Sequence, residues 1–233
     1  DLSMGRQVLR GATVVLAVSR SSCDFVRRLS GVSATPFNNG VDIDHWLPAE
    51  VGTPPLEPTS RSLVFVGRVV AEKGWRAFLD VAAACRAANA PCRVALLGDG
   101  ADLGLARDYA RDLGLSDAVI PGRVDSAQVR KQLQGAVLVN PTVASEGFQL
   151  TLVEAMAAGA AIVSYDVGGT AEVSEVDGAD VTVAPKGDQK ALTAAALAAL
   201  QRPIPHPNPA TLRQWDWAEV ADAYARVLRE SQR

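Results

Sequence analysis

The chain is short of the residues that carry nucleophilic and metal chemistry. It has two histidines, His45 and His206, and neither lies near a candidate serine or cysteine nucleophile, which argues against a Ser-His-Asp or Cys-His hydrolase. Its three cysteines, Cys23, Cys85 and Cys92, are odd in number and form no C-x-x-C, which excludes a disulfide framework and a cysteine metal site. They are read as small core residues of a protein in the reducing cytoplasm. Basic residues do not exceed acidic ones. The 23 Lys and Arg against 26 Asp and Glu give a net charge of -3, which argues against a nucleic-acid partner or an acidic membrane surface. No apolar run approaches the ~20 residues of a membrane span, and no signal peptide is visible.

What is present is a large apolar fraction, 48% of 233 residues, enough for one large domain or two small ones. The pattern is strand then helix, repeated. Strands are expected at 13–18, 63–66, 93–97, 118–121, 136–139, 161–164 and 181–183. Helices are expected at 21–29 (capped by Ser21 or Ser22), 75–88, 101–113, 126–133, 149–158, 170–175, 190–200 and 217–229. The Pro-rich segment 48–58 reads as a linker or surface loop, and 203–209 as an extended crossover. Continuous apolar strands separated by helices predict a parallel sheet covered on both faces, a doubly wound α/β fold. A ligand of such a fold lies off the carboxyl ends of the strands.

Two places stand out on that plan. The strand at 63–66 runs directly into Gly67-Arg68-Val69-Val70-Ala71-Glu72-Lys73-Gly74, which sets a forked donor and a point charge between glycines at a strand's carboxyl end. In an acidic chain this loop supplies the local cations that a diphosphate needs. The second place is the run from Ser145 to Gly159, where Glu146 and Glu154 stand eight positions apart and Glu154 sits among Leu152, Val153, Ala155 and Met156. An unpaired buried carboxylate costs several kcal/mol, so Glu154 calls for a partner or a ligand. If the whole stretch is helical, the two carboxylates are roughly 12 Å apart along the axis, the dimension of a clamp for a nucleotide sugar. Glu146-Gly147-Phe148 is expected at a helix N-terminus, where free N–H groups favour an anion or sugar oxygens. Asp166-Val167-Gly168-Gly169-Thr170 is a further candidate turn, and Gly98-Asp99-Gly100 reads as a connecting turn. Trp75, Trp215 and Trp217 are read as packing residues.

Together with Asn39-Gly40-Val41-Asp42, Gly122-Arg123-Val124 and Glu154-Ala155-Met156, these motifs resemble, in order and spacing, the retaining glycosyltransferases of family 4. That family has the GT-B fold of two Rossmann-like domains facing a cleft. The resemblance implies that Arg68 and Lys73 bind the donor diphosphate, that Glu146 contacts the transferred sugar, and that Glu154 holds the ribose. It implies that backbone at Val124 meets the nucleobase, with Gly67 and the backbone of Gly147, Phe148, Gln149 and Leu150 completing the donor site. Gln149 stands where a small residue is common. No metal or cofactor is expected: Asp42-Ile43-Asp44 matches a metal-binding D-x-D, but it follows a turn and not a strand.

The resemblance also divides the chain. Residues 1–36 match the last strand and helix of an otherwise missing N-terminal acceptor domain, 37–209 the donor-binding Rossmann-like domain, and 210–233 a crossover helix. The start at Asp1, in mid-pattern and without Met, is likewise read as that of a fragment or processed product. The expected function is transfer of a sugar from a UDP- or GDP-type donor with retention, the fragment alone being inactive. The alternatives are a catalytically silent nucleotide-sugar binding module, and a GT-B-type epimerase or phosphorylase.

Overall fold

The computed structural model describes residues 2–48, 61–206 and 208–231; most of the Pro-rich segment lies outside them. The chain opens with helix α1 (Leu2–Gly11), the short strand β1 (Leu16–Ala17), helix α2 (Arg20–Ser30) and strand β2 (Thr35–Pro36), followed by the single turn α3 (Ile43–Trp46). Then come β3 (Ser62–Val66), α4 (Trp75–Ala87), β4 (Arg93–Leu97), α5 (Leu103–Asp112), β5 (Val119–Gly122) and α6 (Ser126–Leu133). Next are β6 (Val137–Asn140), α7 (Leu150–Ala157), β7 (Ala161–Tyr165), α8 (Thr170–Ser174) and β8 (Val181–Ala184), with α9 (Gln189–Gln201), α10 (Pro209–Leu212) and α11 (Trp217–Ser231) closing the chain.

Six strands form one parallel sheet in the order β5-β4-β3-β6-β7-β8, while β1 and β2 pair separately. The period-2 rule of a strand is visible in the packing. Leu63 and Phe65 of β3, Val94 and Leu96 of β4, and Val137 and Val139 of β6 point into the layer beneath α4, α5 and α9. Val64, Ala95, Leu97, Leu138 and Ile162 point into the opposite layer, with Leu152, Val153 and Met156 of α7. Both faces are therefore covered, which is why the strands read as unbroken apolar runs. This is the α/β, doubly wound, Rossmann-like architecture that the pattern predicts.

The departures are at the ends. The strand expected at 13–18 has shrunk to Leu16–Ala17, and the helix after it starts at Arg20, capped by Ser19, whose hydroxyl accepts from the Ser22 N–H. The strand's one neighbour, β2, pairs with it only at Leu16 and Ala17, so the other apolar residues of the run are not drawn into the strand. Pro209 is not extended but opens α10, its fixed φ suiting a first helical position, with Asn208 as cap. The single turns α3 and Ala71–Lys73 are too short to register as a period in sequence, and the ten-residue α1, which has no buried residue, is not among the expected helices. Trp75 and Trp215 are buried as expected, but Trp217 is 60% exposed and gives only one edge of its ring to the backbone at Gly40, where a Cβ would lie 2.3 Å from it. Cys85 and Cys92 are buried, burial holding the Cys85 thiol at about 12, so both are inert packing groups. Among the described residues no helix is long and apolar enough to cross a membrane.

One buried charge ties the lower edge of the sheet together. Arg61, just before β3, is 5% exposed and donates to the carbonyls of Gly135 (3.0 Å), Ala199 (2.6 Å) and Arg202 (2.9 Å). Burial lowers the pKa of its guanidinium, while the carbonyls at the end of α9 favour the positive charge. Arg61→Met is expected to remove about 3 kcal/mol of unfolding free energy, because each buried acceptor left without a donor costs about 1–3 kcal/mol. Urea denaturation of the two proteins, compared at unchanged m-value, checks it.

Candidate functional site

The sheet changes direction between β3 and β6. From β3 the chain builds outward through β4 to β5, and from β6 in the other direction through β7 to β8. Helices leaving these two strands diverge, so a crevice opens beyond their carboxyl ends. The segments entering that crevice are Gly67–Gly74 after β3 and Pro141–Gln149 after β6. They are the two stretches in which the sequence concentrates its candidate residues.

The two segments are bound to each other. The Glu72 carbonyl accepts from the N–H groups of Val143 (2.9 Å) and Ala144 (3.2 Å) and from the Thr142 hydroxyl (3.2 Å). Gly74, at φ 77°, comes so close to the second loop that a Cβ would lie 2.2 Å from the Pro141 oxygen. On this base the Lys73 ammonium forms an ion pair with the Glu146 carboxylate, each side chain only about one-fifth exposed (22% and 19%). The Gly98-Asp99-Gly100 turn has a supporting part that its sequence did not reveal. The Asp99 carbonyl accepts from the Val69 N–H (2.9 Å), and Cβ atoms at Gly98 and Gly100 would meet the Gly67 and Val69 oxygens at 1.8 and 2.3 Å. The turn is a glycine cradle for the loop that carries Arg68. The Arg68 side chain is exposed and has no ion-pair or hydrogen-bond partner among the described residues.

Glu146 does not lie on a helix with Glu154. Helix α7 starts at Leu150, and 146–149 form the loop before it, so the estimate of about 12 Å along one axis does not apply. Gly147 disfavours a helix by only about 1 kcal/mol, and the segment is held instead by Lys73 on one side and Gly168 on the other. Phe148 packs its ring over Gly169, where a Cβ would meet it at 2.2 Å. No side chain caps α7; the Leu152 N–H turns back to the Gln149 carbonyl (3.1 Å), and the N–H groups of Leu150 and Thr151 have no partner among the described residues.

Glu154 is half-buried on α7, flanked by fully buried Val153 and Ala155. Among the described residues its carboxylate has no ion-pair or hydrogen-bond partner, and burial alone raises its pKa to about 7. Val66, Val124, Phe148 and Leu150 border the same apolar layer, so the ends of β3, β5 and β6 and the start of α7 share one side of the sheet.

The Gln149 side chain is committed within the fold. As a side chain it is not available to a ligand: it is buried, donates to the Val167 carbonyl (3.0 Å) and the Thr170 hydroxyl (3.2 Å), and accepts from Asn140. Asn140 in turn donates to the Ser164 hydroxyl (2.9 Å). The longer residue at this position thus fastens the end of β6 to the 166–170 turn and leaves only its backbone towards the crevice. Asp42 and Asp44, the D-x-D pair, have separate partners: Asp42 caps α3 and Asp44 pairs with Arg213 (2.5 Å).

A cleft of about 450 Å³ adjoins this site, with α2 as its far wall. Ser22, Phe25 and Arg28 line it on that side, and Glu146, Asp166 and Lys186 on the sheet side. Its two walls are joined at one edge by Arg20, which pairs with Glu175 at 2.7 Å and with Glu172. The α2 residues were not singled out in the sequence; serines and an arginine on an amphipathic helix carry no signal of what they face.

The model of a family described as "Glycosyl transferases group 1" matches residues 60–202. The chain belongs to this family. A GDP-mannose:cellobiosyl-diphosphopolyprenol alpha-mannosyltransferase of Komagataeibacter xylinus is 26% identical over 95% of the chain and 57% of that protein. A phosphatidyl-myo-inositol mannosyltransferase of Mycobacterium leprae is 28% identical over 91% of the chain and 58% of that protein. The chain therefore spans somewhat more than half the length of these relatives. In fold it is similar to Anabaena HepE, solved with UDP and glucose, at a TM-score of 0.79 and 21% identity over 98% of the chain and 66% of HepE. The architecture is that of the C-terminal domain of a GT-B glycosyltransferase.

The Glu154 carboxylate gives this group 1 glycosyltransferase chain a measurable pH dependence. Its pKa is higher in the fold than the ordinary value of 4.5, so the folded state holds the proton more tightly than the unfolded chain. Stability contributed by the protonated form is full below pH 4.5 and is lost as pH rises through about 7. The ligand-free chain is expected to lose up to roughly 3 kcal/mol across that window, and Glu154→Gln to abolish this component. Urea midpoints of both proteins at pH 4.5, 6 and 7.5 check it.

Proposed function

We propose that the chain is the donor-binding half of a glycosyltransferase that moves a sugar from a nucleoside diphosphate donor to an acceptor with retention at the anomeric carbon. The observation that carries it is the meeting, at the sheet's reversal point, of cationic Lys73 with Glu146, beside exposed Arg68 and ahead of a half-buried, unpartnered Glu154 on α7. Relatives named for GDP-mannose and a fold neighbour holding UDP support a donor of this class.

In this reading Arg68 and Lys73 stabilise the charge that develops on the departing diphosphate, an electrostatic task that side chains perform without a metal. The uncapped start of α7 adds N–H groups along Gly147–Leu150. Glu146 accepts from hydroxyls of the transferred sugar, and Glu154 from the ribose, which supplies the partner its buried carboxylate lacks. Backbone at Gly67 and Val124 borders the base and phosphates. The leaving phosphate assists attack from its own face, so retention requires no side-chain base. We assign residues 37–209 to donor binding, 1–36 to the edge of an acceptor domain, and 210–233 to a helix that returns to it, in a cytoplasmic protein, in keeping with its free thiols. The contact of Phe37 with Tyr224 and the bonds of Val41 to Trp215 (2.7 Å) and Trp217 (3.2 Å) join the start of the donor-binding segment to the returning segment 210–233.

Lys73→Ala is expected to weaken UDP or GDP binding by about 1.5–3 kcal/mol, the worth of a charge-assisted bond. Calorimetric titration of both proteins measures it, and equal affinities remove Lys73 from the site. Because the chain spans little more than half of its relatives, a second reading is a module that binds donor and transfers nothing by itself. Product formation is expected only when an N-terminal acceptor domain is supplied; transfer by the chain alone excludes the silent module.

A further inference from the structure

Resting on the donor-site reading, we propose that the Lys73–Glu146 pair discriminates between a sugar-bearing nucleotide and the bare nucleoside diphosphate, disfavouring the bare form and so assisting its release after transfer. In the empty site each member of the pair is the other's partner, and both are about four-fifths buried. A diphosphate that draws Lys73 to itself leaves Glu146 without its cation, and among the described residues nothing else donates to that carboxylate. An ionised, mostly buried carboxylate without a partner is costly.

Glu146 cannot shift at its Cβ, and the side to which its carboxylate could turn is the cleft that it lines. Gly168, at φ +57°, stands behind it so closely that a Cβ there would lie 2.9 Å from the Glu146 Cβ. Nor can the loops drift apart, because three bonds to the Glu72 carbonyl join the backbone beneath the two residues. A sugar on the diphosphate changes the balance, since its hydroxyls can donate to Glu146 while the phosphates hold Lys73. Sugar and diphosphate binding are thereby coupled through one pair of side chains. When the sugar leaves, Glu146 regains Lys73 and the diphosphate loses a cation. A Glu146 that merely touched the sugar would have no effect on a ligand without one.

The test titrates UDP, GDP, UDP-glucose and GDP-mannose into the full chain and its Glu146→Gln variant, with Glu146→Ala as a second variant and urea midpoints as a check on folding. The expected result is tighter binding of the bare diphosphates by the variants, by about tenfold, with slower dissociation in stopped flow. The preference for a sugar nucleotide over its diphosphate is expected to shrink by at least as much. Bare-diphosphate affinity that is unchanged or weaker in folded variants overturns the inference while leaving the donor site standing. If none of these nucleotides binds the unaltered chain, the donor reading falls and the inference falls with it.

Discussion

Everything specific about this molecule depends on two loops being held at one contact distance, with Lys73 and Glu146 at their meeting point. The residues are seventy-three positions apart, and no local propensity brings them together. The sheet does, by placing β3 and β6 side by side while sending their connections in opposite directions. The glycines then set the spacing. Gly74 and Gly98 have positive φ and also lie within what would be a steric clash of the neighbouring loop, so a side chain at either would push the cationic segment out of register. The charge pair is thus the last step in a hierarchy: alternating burial in the strands, then parallel order, then glycine-limited loop approach, then chemistry.

Much of this was legible in the residues, for an identifiable reason. Strands buried on both faces are continuous apolar runs bounded by glycine and polar turns, and β3, β4, β6 and β7 all have that form. The same runs announce their own carboxyl ends, which is where Gly67-Arg68 and Asn140-Pro141 begin, so candidate ligand residues could be placed before any coordinates were known. Glu154 was legible because a carboxylate among Leu152, Val153, Ala155 and Met156 contradicts its surroundings. What could not be read was side-chain partnership across the sheet. Gln149 has the composition of a ligand-facing amide, yet its orientation is decided by Val167 and Thr170, some twenty residues on. Likewise Gly98-Asp99-Gly100 has the sequence of an ordinary turn, and its task of supporting the Gly67–Val69 backbone exists only in three dimensions.

The helix expected at 149–158 is α7, Leu150–Ala157, but it does not extend back to Glu146 as the one-helix spacing of the two acids requires. The run from Ser145 to Gly159 has apolar residues spaced well enough for one long helix, but the segment before Leu150 is bound to neighbours on both sides: Lys73 holds Glu146, and Gly169 receives Phe148. Tertiary contacts outweigh helix propensity here, as they commonly do for the first turn of a short helix. The consequence is chemical. Had the helix begun at Glu146, its carboxylate would have capped the helix N-terminus and neutralised the site's backbone donors. Starting at Leu150, α7 leaves the N–H groups of Leu150 and Thr151 without a partner among the described residues, and Glu146 answers to a lysine on the turn after β3 instead.

The two acids are therefore set up in opposite ways, and the difference follows from where each lies. Glu146 is on a loop, beside a cation, and is satisfied in the empty protein. Glu154 is within a helix, among apolar neighbours, and is unsatisfied, with burial alone lifting its pKa towards neutrality. A ligand gains from Glu154 simply by arriving with hydroxyls, because it ends an existing desolvation cost; it gains from Glu146 only if it replaces what it takes from Lys73. In the proposed donor reading, Glu154 favours any ligand with a ribose, and Glu146 favours one only when a sugar comes with it. On that reading, a site built from both acids holds the nucleotide end of its ligand indiscriminately while retention of the whole depends on the group to be transferred.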